Sequence, residues 1–240
     1  MSNHFQLKLG AEFQPLVCPQ SLTVFGYEAL SRFYTPEGST IAPNIVFEQL
    51  HKKQDWLAKV ELEAKRLQIQ HAPVDYALYV NIDPHAVETH NKEMLTLLKS
   101  RSKLCVEIIE NTCINDAKLS GKLIQQLLNE HIDVALDDVG APHSLVSIEL
   151  ISAVSCIKFD KHWLTMADQP EYQHLLASLI NFAKQTHKVT ILEGIETEKQ
   201  LAFATQIGVD FVQGFLFKSQ FLQVKTSTTI ANILQPIQIP

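Results

Sequence analysis

The chain has 240 residues, is 46% hydrophobic and 19% charged, and carries a formal net charge of −6. That length suits one α/β barrel and that composition suits a globular protein with a buried core. The negative balance, with no basic stripe, argues against a DNA- or RNA-binding protein but leaves room for a small anionic ligand held by placed cations or metals.

In chain order, short apolar or β-branched runs alternate with longer amphipathic ones. Strands are predicted at 12–18, 22–29, 76–82, 103–109, 132–138, 154–159, 188–193 and 209–216. Helices are predicted at 44–71 (broken near Asp55), 84–101, 116–131, 144–152, 171–187, 197–207 and 224–235. The first two strands lie too close for a helical crossover, so they pair antiparallel through a turn near Pro19-Gln20. The rest alternate with helices, as in a mostly parallel sheet. The expected fold is therefore a (β/α)8 TIM-like barrel with an antiparallel first strand, one domain over 1–240. An open doubly wound sheet is the runner-up, but it lacks a Gly-rich phosphate loop after its first strand.

The four cysteines (Cys18, Cys105, Cys113, Cys156) form no CxxC pair, so free thiols in a reducing cytosol are expected. The N-terminus lacks a signal pattern and no stretch reaches the length of a membrane span, which points to a cytoplasmic protein. The ten histidines show no HExxH or paired ligand spacing, and Ser144 and Ser147 sit in no nucleophile elbow.

The polar residues at the strand ends are the informative ones. Glu28, Asn81, Glu107, the pair Asp137-Asp138, Lys158 and Glu193 each follow an apolar run, and Gln213 lies within the last one. Taken singly, an acid after a strand is usually a helix cap or turn residue. Taken jointly, barrel strands bring these ends to one mouth, where crowded carboxylates need cations. Oxygen donors without His or Cys select Mg²⁺ or Mn²⁺, and five donors with a potential bridging aspartate suggest two ions suited to displacement at phosphorus. Lys158 would orient the attacking water or stabilise phosphate charge, and Glu193 would take a proton from that water or fix it in place.

The segments "FQPLV", "GYEALSRF", "PEGSTIAPNIVFEQL", "YVNI", "VEIIENT", "ALDDVG", "IKFD", "ILEGIETEKQ" and "GVDFVQGFLF" stand in the order and spacing of one family. The chain resembles the EAL domain, the bacterial cyclic di-GMP phosphodiesterases, over essentially its whole length. The resemblance implies hydrolysis of cyclic di-GMP to linear 5′-pGpG with two Mg²⁺ or Mn²⁺ ions. It implies Glu28, Asn81, Glu107, Asp137 and Asp138 as metal ligands, with Glu28, Lys158 and Glu193 catalytic. Gln14, Arg32 and Gln213 would contact substrate, Arg32 as the fork on a phosphate. Glu110 and Glu196 would brace the loop after the fifth strand and the surroundings of the metals. A homodimer is implied, and a regulatory partner protein is open.

That loop departs from the family pattern Asp-Asp-Phe-Gly-Thr-Gly-Tyr-Ser-Ser: it reads Asp137-Asp138-Val139-Gly140-Ala141-Pro142-His143-Ser144-Leu145. Pro142 replaces a glycine and cannot take positive φ, and Ala141 lacks the hydroxyl that would bond Glu110. The alternative reading is thus a degenerate EAL domain that senses cyclic di-GMP or binds a protein without turnover.

Overall fold

The computed structural model describes residues 7–109, 114–142 and 147–230. Strand β1 (Leu7–Val17) runs antiparallel to β2 (Val24–Tyr34), with Gln14 opposite Glu28 and Gly10 opposite Arg32. The turn between them is closed by Cys18 N–H to Thr23 O at 2.9 Å and Leu22 N–H to Cys18 O at 2.9 Å. Strand β3 is the two-residue Thr40–Ile41, paired to the far end of β2.

Helices α1 (Pro43–Leu50) and α2 (Gln54–His71) then lead into β4 (Ala77–Asn81), which lies parallel to β2. The order continues α3 (Pro84–Lys99), β5 (Leu104–Ile109), α4 (Ile114–Asn129), β6 (Asp133–Val139), α5 (Ile148–Ala153) and β7 (Cys156–Phe159). It ends with α6 (His162–Thr165), α7 (Pro170–Gln185), β8 (Val189–Leu192), α8 (Glu198–Ile207), β9 (Phe211–Val212), a 3-10 turn at Phe215–Gln220 and β10 (Leu222–Ile230).

Strands β4 to β9 are parallel in sequence order, and β9 meets β1 antiparallel through Val17 and Val212. The sheet β2-β4-β5-β6-β7-β8-β9-β1 thereby closes into the expected eight-stranded barrel. The inner strands read as apolar runs because both of their faces are covered, the outer one by helices. Helix starts follow local chemistry: Asp83 accepts a 2.9 Å bond from His85 N–H ahead of Pro84, and Thr197 and Gln200 form a capping box. Helix α8 ends at Gly208, whose φ of 78° is the left-handed cap that glycine supplies without strain. Among the described residues no helix is long and apolar enough to cross a membrane. Cys18, Cys105 and Cys156 are free thiols, and Cys113 lies outside the described residues.

Several predicted elements need correction, among them the strand expected over 209–216, which is only Phe211–Val212 and gives way to the 3-10 turn at Phe215–Gln220. The helix expected over 224–235 is strand β10 as far as Ile230, paired antiparallel to the first half of β1. Its residues Val224, Thr226, Thr228, Thr229 and Ile230 are β-branched and favour a strand. Strand β2 does not end at Glu28 but runs on to Tyr34, and β1 begins at Leu7 rather than at 12. The extra length of both, with β3 and β10 at their flanks, makes an antiparallel wall beyond the β2–β4 pairing, which stops at Ala29. The long helix over 44–71 breaks after Leu50 and resumes at Gln54, close to the expected break.

Candidate active site

The barrel interior is built in layers by the two-residue period of its strands. Leu16, Tyr79, Cys105, Ala135, Cys156 and Ile191 form one buried cluster drawn from six strands. One step of the period further toward the carboxyl ends of the parallel strands, the same faces present Asn81, Glu107, Asp137, Lys158 and Glu193. From Gly26 the same step reaches Glu28. On antiparallel β1 the step runs backward, from Leu16 to Gln14. Phe211, packed against the apolar cluster, leads in the same way to Gln213.

These polar residues meet. The Lys158 ammonium, fully buried, lies 2.7 Å from Glu107 Oε1, 2.9 Å from Asp137 Oδ1, 2.8 Å from Glu193 Oε1 and 3.6 Å from Glu28 Oε2. Asn81 Nδ2 donates to Glu28 Oε1 at 2.7 Å and to Glu107 Oε2 at 2.8 Å. Gln213 Nε2 donates to Glu28 Oε2 at 2.6 Å and to Gln14 Oε1 at 3.1 Å. One ligand oxygen each from Glu28, Glu107 and Asp137 lies within 4.8 Å of the others, and so do oxygens of Asp137, Asp138 and Glu193. Asp137 belongs to both groups.

Five carboxylates around one ammonium form a negative surplus, and burial together with mutual repulsion shifts their pKa values. Burial, then repulsion from Glu28, pushes Glu107 well above the carboxylate range. Burial likewise raises Asp137, against the pull of Lys158. Asp138 rises to about 6 through burial and the adjacent Asp137. Glu193 rises to about 8, mainly by burial. Glu28 is held low: burial works against it, but Lys158 and the amides of Gln213 and Asn81 stabilise its charge. Lys158 stays firmly protonated, since Asp137, Glu107, Glu193 and Glu28 together outweigh its desolvation.

The residues present fit divalent cations. Glu107 Oε1 and Asp137 Oδ1 are buried with no aligned hydrogen bond, despite their short distances to Lys158 Nζ, which itself lacks an aligned partner. Each carboxylate oxygen keeps a second lone pair beyond its contact with the ammonium, and the oxygens converge closely enough for a hard cation to share them.

Above the cluster opens a cavity of about 760 Å³, lined among others by Glu28, Arg32, Asn81, Asp137, Asp138 and Glu193. A second, of about 310 Å³, shares Glu28, Asp138 and Glu193 and adds Gln14, Gln213, Glu196 and Phe215. Arg32 lies in the wall beyond the barrel rim. Its Nη2 donates to Glu12 Oε1 at 2.6 Å and its Nη1 to Ser31 O at 3.0 Å. Glu196 stands at the rim, where its backbone N–H donates to Gln200 Oε1 at 2.8 Å. Glu110 lies outside the described residues, as do His143, Ser144 and Leu145 of the divergent loop.

The described part of that loop is tightly determined. Asp138 has φ of 56°, and Gly140 has φ of 86°. A Cβ at Gly140 would meet Trp163 Nε1 at 2.3 Å, and that indole donates to Val139 O at 2.8 Å. Trp163 thus supports the aspartate pair from below the loop. Sequence reasoning missed Trp163, Glu12 and Gln223. A signal for Glu12 existed, because it precedes Gln14 by one strand period and so shares its face.

The profile of the EAL domain matches residues 5–220. The chain belongs to the EAL domain family. Among curated relatives, the bifunctional diguanylate cyclase/cyclic di-GMP phosphodiesterase MucR of Pseudomonas aeruginosa is 25% identical over 223 residues, which is 87% of this chain and 32% of that protein. The cyclic di-GMP phosphodiesterase PdeL of Escherichia coli is 25% identical, covering 85% of this chain and 60% of that protein. The EAL chain therefore spans about a third to three-fifths of the length of these relatives. Among solved structures, the Bacillus subtilis YkuI protein in complex with substrate cyclic di-GMP and calcium superposes with a TM-score of 0.72 at 20% identity, covering 94% of this chain and 57% of that one. The FimX EAL domain of Pseudomonas aeruginosa bound to cyclic di-GMP gives 0.70 at 22% identity, covering 88% and 90%. At these identities the superpositions speak for the fold.

Proposed function

We propose that this EAL domain is a metal-dependent phosphodiesterase that opens cyclic di-GMP to linear 5′-pGpG. The observation that carries the reading is the ring of Glu28, Glu107, Asp137 and Glu193 around the buried Lys158, with buried carboxylate oxygens left without directed bonds. Relatives named as cyclic di-GMP phosphodiesterases supply the substrate class.

Glu28, Asn81, Glu107, Asp137 and Asp138 would hold two Mg²⁺ or Mn²⁺ ions. Asn81 would turn its amide so that the oxygen replaces the nitrogen now facing Glu28 and Glu107. When bound, the ions would offset the carboxylate charge, polarise the scissile phosphodiester and acidify water. Arg32 binds a non-bridging phosphate oxygen and fixes the dinucleotide in the larger cavity. Gln14 and Gln213 line the opposite side. Lys158 donates to the oxygen of the attacking water and aims its lone pair at phosphorus. Glu193, 2.8 Å from Lys158 Nζ, would be held ionised by the positive charge of the bound cations and accepts the proton that water loses. The new P–O bond forms as the P–O3′ bond breaks, and the departing 3′ oxygen takes up a proton from solvent. The products are a 5′-phosphate and a free 3′-hydroxyl on one chain.

The test is incubation of purified protein with Mn²⁺ and cyclic di-GMP, with pGpG followed by chromatography and EDTA as control. Metal-dependent pGpG formation is the expected result. Tight binding with no pGpG over hours would instead identify a sensor, the reading that the Ala141-Pro142 departure favours. A single unit over residues 1–240, a homodimer through the loop after β6, a regulatory partner and a cytoplasmic location belong to the same proposal. Light scattering with and without ligand tests the dimer.

A further inference from the structure

Beyond the groups assigned above stands Glu12, an acid only 8% exposed on the inner face of β1. It accepts three side-chain hydrogen bonds: Arg32 Nη2 at 2.6 Å and Gln14 Nε2 at 2.9 Å on Oε1, and Gln223 Nε2 from β10 at 2.8 Å on Oε2. Burial alone would raise its pKa, but the bonds from Gln14 and Arg32 hold it below the usual carboxylate range, so it is ionised at neutral pH.

An ionised carboxylate only accepts, and this has consequences along the chain of amides. Because Gln14 turns its NH2 to Glu12, its Oε1 faces Gln213. Gln213 must then offer its own NH2, which reaches Glu28 Oε2 at 2.6 Å. One acid thus sets the orientation of two amides and ends at Glu28. On its other side the same acid anchors Arg32. A guanidinium carries five N–H groups, and the bonds to Glu12 and Ser31 leave donors for a phosphate.

We propose that Glu12 is a positioning residue, which holds the Arg32 guanidinium and the Gln14 amide in the orientations that receive substrate. This rests on the reading of Arg32 as the phosphate contact. Gln223 makes β10 part of the device, so the strand that sequence periodicity misreads as a helix also serves the site.

The experiment compares wild type with Glu12→Ala, Glu12→Gln, Arg32→Ala and the Glu12→Ala/Arg32→Ala double variant, measuring KM, kcat and Tm with Mn²⁺ and cyclic di-GMP. Glu12→Ala is expected to raise KM about tenfold, a coupling typical of groups in direct contact, while kcat falls by less than KM rises. Glu12→Gln keeps one acceptor oxygen and is expected to lie between. In the Arg32→Ala background most of the Glu12→Ala effect should vanish. An unchanged or lowered KM overturns the proposal, because it would mean that Glu12 is inert or masks Arg32. An undiminished effect in the Arg32→Ala background overturns it too, as a general structural role. If Glu12→Ala does not fold, the Glu12→Gln series is decided by the same criteria. A ligand-free measurement separates this from the activity itself: ¹⁵N NMR of the Arg32 guanidinium should show slow rotation in wild type and fast rotation in Glu12→Gln. Fast rotation in both overturns the positioning role even in an active enzyme. Slow rotation lost on substitution upholds it even where wild type gives no pGpG.

Discussion

Two neighbouring layers inside one barrel differ by a single strand period. The lower, with Leu16, Tyr79, Cys105, Ala135, Cys156 and Ile191, is buried and largely apolar, and burial pushes the Cys156 and Cys105 thiols well above their usual range. The upper, one residue pair along the same strands, holds Glu28, Asn81, Glu107, Asp137, Lys158 and Glu193. The lower layer closes the barrel floor to water and lowers the local dielectric, which is why the upper layer's charges act on one another so strongly. The difference teaches that the site is made by placing ionisable groups directly on a packed hydrophobic plug.

The largest expected effect breaks the upper layer as a site. Glu28→Ala should lower the rate of pGpG formation by about a thousandfold or more, since a group shared by Asn81, Gln213 and the proposed metals is lost. Activity within about tenfold of wild type would remove Glu28 from the ligand set.

Next comes the ammonium. Lys158→Met leaves the surrounding acids buried without their cation and should destabilise the metal-free protein by about 3–5 kcal/mol, read from urea unfolding. Saturating Mn²⁺ should recover part of that loss by binding the folded state, while turnover stays impaired. Equal stability with and without Lys158 would mean that the cluster is neutral through proton uptake alone.

A smaller effect uses pH. Asp138 at about 6 and Glu193 at about 8 are raised in the folded state, so their stabilising contribution is complete below the ordinary carboxylate range and is lost as pH climbs through those values. Glu28 has the opposite sign: its contribution persists above the ordinary value and disappears only on acidification. In EDTA, Tm should therefore fall from about pH 5 to about pH 9, and the increment given by Mn²⁺ should grow over the same range. A flat Tm difference would contradict the electrostatic account of the layer.

Much of this arrangement was legible in the sequence because the parallel strands are short apolar runs whose carboxyl ends meet at one mouth. Asn81 ends β4 and Glu193 follows β8 directly, while Glu107 and Asp137 stand two residues before the ends of β5 and β6. Glu28 was assigned to the right mouth for an inexact reason: β2 continues to Tyr34, and it is the loss of its partner β4 after Ala29 that puts Glu28 at the rim. Glu12 and Gln223 were illegible as partners because they meet across 211 residues of chain, through a strand pairing that the misassigned β10 concealed. Local pattern carries strand ends well, but it carries no information about which distant edge a terminal strand will join.

The smallest effect tests the lower layer. Ile191 is fully buried on β8, two residues before Glu193, and packs in the apolar cluster without touching the acids' chemistry. Ile191→Val removes one methylene from a site closed on all sides and should cost about 1 kcal/mol of stability. If the layer acts only as a packed floor, kcat and KM with cyclic di-GMP should stay within about twofold of wild type, because such a void is too small to admit water. A change in kcat well beyond that, at nearly unchanged Tm, would show that the plug tunes the charges above it through fine packing. The two layers would then have to be treated as one functional unit, since a shift of a single methylene below Glu193 would have altered the proton acceptor itself.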